Sequence, residues 1–107
     1  MINLLTRWEE MYLVAVLELG DNAYGVTVKK RVAEKTGKIV SYGGLYFALD
    51  QLVKKELVNK MPGAPEPKQG GRTKFFYTLT DKGREALRAT LAHQKALWKG
   101  IDDLALE

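Results

Sequence analysis

Five residues in one short stretch are suited to meeting another molecule: Ser41, Tyr42, Gly43, Tyr46 and Phe47, within SYGGLYFALDQLVKK. Tyrosine hydroxyls donate readily to phosphate oxygens, contacts that fix register without reading sequence. Phe47 offers an apolar surface, for which a thymine methyl is the matching group in a major groove. Packing of Phe47 on a neighbouring element is an equal alternative. Gly43 and Gly44 each cost a helix about 0.8–1 kcal/mol relative to alanine, which has a purpose where a second backbone must come close. Ser41 is a helix cap first, worth ~1 kcal/mol, although the amides that follow a cap also suit a phosphate. A second group, Lys68, Arg72 and Lys74, surrounds Gly70 and Gly71. An arginine there suits a minor groove, whose negative potential attracts it. The alternative is a solvated loop whose charges keep strand edges from pairing.

Bond-making chemistry finds no footing. The chain has no cysteine and a single histidine, His93, which excludes thiolate and multi-histidine metal sites. Neither a metal nor a cofactor is expected. Asp102 and Asp103 are adjacent and point apart on a helix. No glycine-rich loop stands between a strand and a helix at phosphate-binding spacing. An enzyme is therefore not expected. No apolar run approaches the ~20 residues of a membrane span. The start, MINLLTRWEE, turns acidic where a signal peptide would stay apolar. The expectation is a cytoplasmic protein with no membrane contact.

Charge distribution favours a polyanion partner. Between Tyr24 and Lys74 there are eleven Lys and Arg against four Asp and Glu, whereas the flanks hold six against nine. The whole-chain charge of +4 thus conceals a basic centre, the electrostatic footprint expected of a nucleic-acid-binding face. A lysine-rich solvated surface is the plainer explanation of the same pattern.

Elements must position these groups. Trp8, Met11, Tyr12, Val14, Ala15, Leu17 and Leu19 predict a helix over residues 4–19 with an unusually broad apolar stripe, and Gly20 follows as a terminator. A second helix is predicted over 25–36, with Val28 and Val32 inward and Lys29, Lys30, Arg31 and Lys35 outward. Residues 38–40 allow a minimal strand. The third helix covers 41–55, with Leu45, Leu49, Leu52 and Val53 on its inner face. Residues 57–62 and 73–79 read as strands, with Phe75, Tyr77 and Leu79 on the core face. The connection between them is too long for a tight hairpin turn. Thr80 caps a last helix predicted to run to 107. Leu87, Leu91, Gln94, Trp98, Ile101 and Ala105 step along it at coiled-coil spacing. This order predicts a mainly α fold with a small β-hairpin, α+β in class. It is a winged helix-turn-helix over residues 1–80 and a C-terminal dimerisation helix over 81–107.

Four stretches resemble the PadR-like transcriptional regulators. LELGDNAYGVTVKKRV is similar to the family's passage from first to second helix, and SYGGLYFALDQLVKKELV to its recognition helix. GGRTKFFYTLT is similar to the wing, and LTDKG to the start of the last helix. The chain departs from the pattern at Gly44, where many relatives carry threonine or valine, and at Phe47, often arginine or threonine. With only one helix beyond the wing, it looks like the short type.

The resemblance implies a sequence-specific transcriptional regulator, a repressor, acting as a homodimer on a palindromic operator in double-stranded DNA. DNA contacts are expected from Ser41, Tyr42, Gly43, Tyr46, Phe47, Lys68, Arg72 and Lys74. The dimer interface is expected from Trp8, Leu87, Leu91, Gln94, Trp98 and Ile101, with packing of the last helix on the first as the intramolecular alternative. Relatives that bind flat aromatic drugs between terminal helices imply a further role for Trp98, joined by Trp8, as a wall for a small-molecule effector. Interface packing alone also accounts for both. The rival class is a winged helix that binds proteins instead of DNA, favoured by the scarcity of polar side chains on the third helix.

Overall fold

Thr6 decides where the first helix begins. The computed structural model describes residues 4–63 and 74–107. In it the Thr6 hydroxyl accepts the Glu9 amide at 3.2 Å, while the Glu9 carboxylate accepts the Thr6 amide at 2.8 Å. This reciprocal capping box starts α1, Arg7–Leu19. Its broad stripe is used within the chain: α1 packs on the second, third and fourth helices and on the second strand. Tyr12, Leu13, Ala15 and Val16 are buried, whereas Trp8 and Leu17 stay exposed.

A 3-10 turn over Gly20–Asn22 leads to α2, Gly25–Thr36. The Thr27 hydroxyl accepts the Tyr24 amide at 3.0 Å and donates to the Asn22 carbonyl at 2.5 Å, bracing the entry. Val28 and Val32 are buried, as their spacing predicts. No strand forms at 38–40, where Ile39 is 85% exposed. The extended residues that join the sheet are Ala23 and Tyr24 instead. The Tyr77 amide donates to the Ala23 carbonyl at 2.8 Å, and Tyr24 pairs with Phe76. Ala23, fully buried, lets the chain pass close beneath the hairpin.

The third helix, α3, spans Tyr42–Lys54 and buries Leu45, Leu49 and Leu52. It ends through Glu56, which adopts φ +62°, and the Leu57 amide returns to the Leu52 carbonyl at 2.9 Å. This satisfies an end-of-helix carbonyl in the manner of a Schellman motif. The hairpin follows: β1, Val58–Pro62, lies antiparallel to β2, Phe75–Leu79, with Val58 opposite Leu79 and Lys60 opposite Tyr77. Tyr77 is buried, but Phe75 on the same face is 44% exposed. The strand has outrun the helices by that point, and the Lys60 ammonium covers the Phe75 ring, 4.5 Å from its centre.

Thr80 caps α4, Asp81–Trp98, through the Gly83 amide at 2.9 Å. A Cβ at Gly83 would collide with the Leu57 carbonyl oxygen, so only glycine lets α4 rise this close to β1. Farther along, Thr90, 4% exposed, accepts the Leu5 amide at 3.0 Å. The predicted continuation of this helix to residue 107 is not observed. Lys99 leaves helical geometry at ψ 127°, Gly100 takes φ +82°, and a short 3-10 turn occupies Asp103–Leu106. Glycine disfavours a helix interior by about 1 kcal/mol, and acidic residues near a helix C-terminus oppose its dipole. The coiled-coil spacing of Ile101 and Ala105 therefore has no helix to carry it.

Candidate nucleic-acid interface

Ser41, in extended conformation, sets the first turn of α3 by accepting the Gly44 amide at 3.0 Å. The two glycines of that turn have different surroundings. A Cβ on Gly44 would press the Ser41 hydroxyl at 3.2 Å, whereas one on Gly43 would meet nothing within 4 Å. Gly44 therefore makes room for the cap, and only Gly43 leaves its space open towards solvent.

Tyr46 and Tyr42 lean from α3 towards α2. A Cβ on Gly25 would collide with the Tyr46 hydroxyl oxygen, so the Tyr-Gly pair at the entry to α2 forms the seat for the Tyr46 ring. Tyr42 stacks on Tyr46 with ring centres 6.3 Å apart and planes inclined by 21°. The Lys29 ammonium lies 5.2 Å from the Tyr42 ring centre, a cation–π contact worth about 0.5–1 kcal/mol at an exposed site. Lys29 thereby joins the group expected from sequence, a link that spacing within α2 alone could not show.

Phe47 takes no part in this stack and is 67% exposed. It makes no aromatic ring contact among the described residues. Asp50, one turn along, stands 3.8 Å from Lys60 of β1, an interaction invisible before the strand register is known. Arg31 and Lys35 are drawn back to Glu18 at 3.4 and 3.1 Å, and Arg31 also reaches Glu34 at 3.3 Å. Lys30 and Lys54 have no ion pair among the described residues. The Lys74 ammonium sits 4.5 Å from the Tyr24 ring centre, at the root of the wing. Lys68 and Arg72 lie outside the described residues. Tyr77, beneath the site, has its hydroxyl pKa pushed up to about 12, by burial first and then by the charges of Asp50 and Tyr46. It stays neutral at physiological pH.

The residues expected at a dimer interface fall into three settings. Leu87 is half-buried against the core, while Leu91 and Trp98 are exposed on α4. Leu91 borders a groove of about 240 Å³ with Leu17, Leu79 and Leu87, rimmed by Arg84 and Arg88. Gln94 is engaged inside its own chain, on Glu10 of α1, and Ile101 stands exposed beyond the end of α4. Trp8 stacks on Tyr12, with centres 6.3 Å apart, and lines a shallow groove with Ala48, Gln51 and Leu52 of α3. No ring contact joins it to Trp98 among the described residues. Those residues include no cluster of potential metal ligands, and no helix long and apolar enough to cross a membrane.

With this geometry in hand, residues 13–89 match the sequence profile of the transcriptional regulator PadR-like family. The chain belongs to that family. Members of the PadR-like family are transcriptional regulators and not enzymes, in keeping with the lack of catalytic patterning. RosR from H. salinarum is 30% identical, with a TM-score of 0.70 over 92% of this chain and 82% of its own. A PadR-like transcriptional regulator from Bacillus cereus superposes with a TM-score of 0.73 at 21% identity, over 94% of this chain and 92% of its own. A PadR family transcription regulator from Clostridium difficile gives 0.68 at 24% identity, over 94% and 99%. No curated protein matches significantly. These comparisons agree with the winged helix seen here: three helices, a hairpin wing and a helix beyond it.

Proposed function

We propose that this PadR-like chain is a homodimeric repressor that docks α3 in the major groove of a palindromic operator and its wing on the adjoining backbone. The observation that carries this reading is the outer face of α3. It leaves Gly43 open and Phe47 bare, beside the stacked Tyr42 and Tyr46, in the most basic part of the molecule. Two such helices read half-sites about 34 Å apart, one helical turn of DNA. The exposed Leu91, Trp98, Leu17 and Leu97 support a partner copy, because a chain of this size gains much by burying apolar surface between protomers. Repression follows from occlusion of the promoter, in the cytoplasm. An effector lodged against Trp98 regulates only if it binds two dimer shapes with different affinity. Arg72 and Lys68 are proposed phosphate contacts of the wing, together with Lys74.

The test is a duplex-binding titration at several salt concentrations, after selection of bound sequences from a random pool. Lys74→Ala and Arg72→Ala should each reduce the salt slope of the dimer by about 2, about 1 for the cation that each protomer withdraws from a phosphate. Unchanged affinity and slope in both would remove the wing from the interface. A second reading, a winged helix that binds proteins, is favoured by the scarcity of polar groups on α3. It predicts that no duplex is retained even at low salt.

A further inference from the structure

Few side chains of α3 are placed to hydrogen-bond a base: Gln51 lines the groove beside Trp8 and Tyr12. Ser41 spends its hydroxyl on the Gly44 amide. Tyr42 and Tyr46 lean towards Lys29 and Gly25. Asp50 is held near Lys60. Lys54 lies at the C-terminal end of the helix, whereas bases are read mainly by the N-terminal residues of a recognition helix. What remains is Phe47, 67% exposed, in the same helix turn as the open space above Gly43. We infer that Phe47 is the specificity-determining residue of α3, and that it recognises the C5-methyl group of a pyrimidine in each half-site. This rests on α3 docking in the major groove. The thymine methyl is the apolar feature of that groove. Lys30 and Lys54, without an ion pair among the described residues, match the charge of the flanking phosphates. Because the contact ignores the hydrogen-bonding edge, 5-methylcytosine satisfies it as thymine does.

The probe is the duplex selected from a random pool, with single positions altered. Replacing the contacted thymine by deoxyuridine should weaken binding about fourfold per half-site, the equivalent of ~0.8 kcal/mol for one buried methyl group. Cytosine at that position should bind more weakly than 5-methylcytosine by a similar factor. Phe47→Ala should bind thymine and uracil duplexes alike, with the salt slope of the wild type and an unchanged melting temperature. Phe47→Gln should do the same and serves if the alanine variant folds poorly. Binding that is indifferent to uracil at every position overturns the proposal while leaving DNA docking intact, as does discrimination that survives in both variants. A wild-type protein that retains no duplex at low salt overturns the docking of α3, and this inference with it.

Discussion

The Gln94 side-chain amide of α4 donates to both carboxylate oxygens of Glu10 on α1, at 2.9 and 3.0 Å. Glu10 also receives Arg7 at 3.2 Å. At sequence level Gln94 is a seam residue facing a partner helix; in the fold it fastens α4 to its own α1. Hydrogen bonds to a charged group contribute about 1.5–3 kcal/mol net. Gln94→Leu should therefore lower unfolding stability by ~1–2 kcal/mol in urea denaturation, and Gln94→Glu by at least as much. Wild-type stability in both variants would show that the clasp is incidental.

Tyr46 and Gly25 make a second linked pair. Gly25→Ala introduces a Cβ where the Tyr46 ring lies. Tyr46 is half-exposed and rotates out to relieve the clash. Stability should change by less than about 1 kcal/mol, since alanine is the better helix former, while duplex affinity falls. In a Tyr46→Ala background the Gly25 substitution should weaken binding no further, which a double-mutant cycle measures. Additive effects would separate the two residues.

Glu56 occupies the left-handed region at φ +62°, which costs a non-glycine residue roughly 1–2 kcal/mol. Glu56→Gly removes that strain, partly offset by ~0.4–1 kcal/mol of extra unfolded-chain entropy. A net gain of about 0.5–1 kcal/mol is expected in thermal unfolding. A decrease would mean that the Glu56 side chain supplies an interaction beyond its backbone role.

Acid should loosen the junction of α1 and α3. Burial alone would raise the Glu9 carboxyl, but hydrogen bonds from Lys55 and from the Thr6 amide, with the Lys55 charge, hold it below its ordinary 4.5. A lowered folded-state pKa stabilises above the unfolded value, and the contribution disappears as pH falls through the folded value. Glu9→Gln keeps the capping box, since glutamine serves at that position, and removes the charge. The variant should be less stable than wild type at pH 7 by ~1 kcal/mol or less, given the exposure of Lys55. The difference should begin to shrink as pH falls below about 4.5 and vanish below the lowered folded value. A gap that persists at low pH would assign the effect to packing.

Leu91→Asp places a charge on the exposed face of α4 and, if that face meets a second copy, yields monomer in sedimentation velocity. An unchanged sedimentation coefficient at high protein concentration would send the search for the interface to another surface.

Spacing alone carries α2 and α3, because their inner residues Val28, Val32, Leu45, Leu49 and Leu52 repeat at the period of the helix that buries them. The end of α4 escapes such a pattern: the apolar repeat runs on through Ile101 and Ala105, while the opposing signals are one glycine and the two aspartates after it. Phe75 shares a face with Tyr77 as alternation requires, but a strand's alternation does not say where the covering helices stop. The pairing of Ala23 and Tyr24 with β2, the Asp50–Lys60 contact and the seat of Tyr46 on Gly25 all join residues distant in sequence. No local pattern encodes them. Of the candidate binding side chains, Tyr42, Tyr46 and Phe47 stand out by their types and positions, whereas Lys29 acquires its place only through the crossing of α2 and α3.

The fastening of α4 makes it a lever. It spans 18 residues, about 27 Å, and is held near its root by Thr80, then by Thr90 and Gln94. These bonds tie α4 to the end of α3 and to the start of α1. If α4 and α3 move as one body, a displacement of ~5 Å at Trp98, acting over about 27 Å of helix, turns α3 by roughly 10°. In a dimer joined through these helices, the gap between half-sites is set by how two long arms meet.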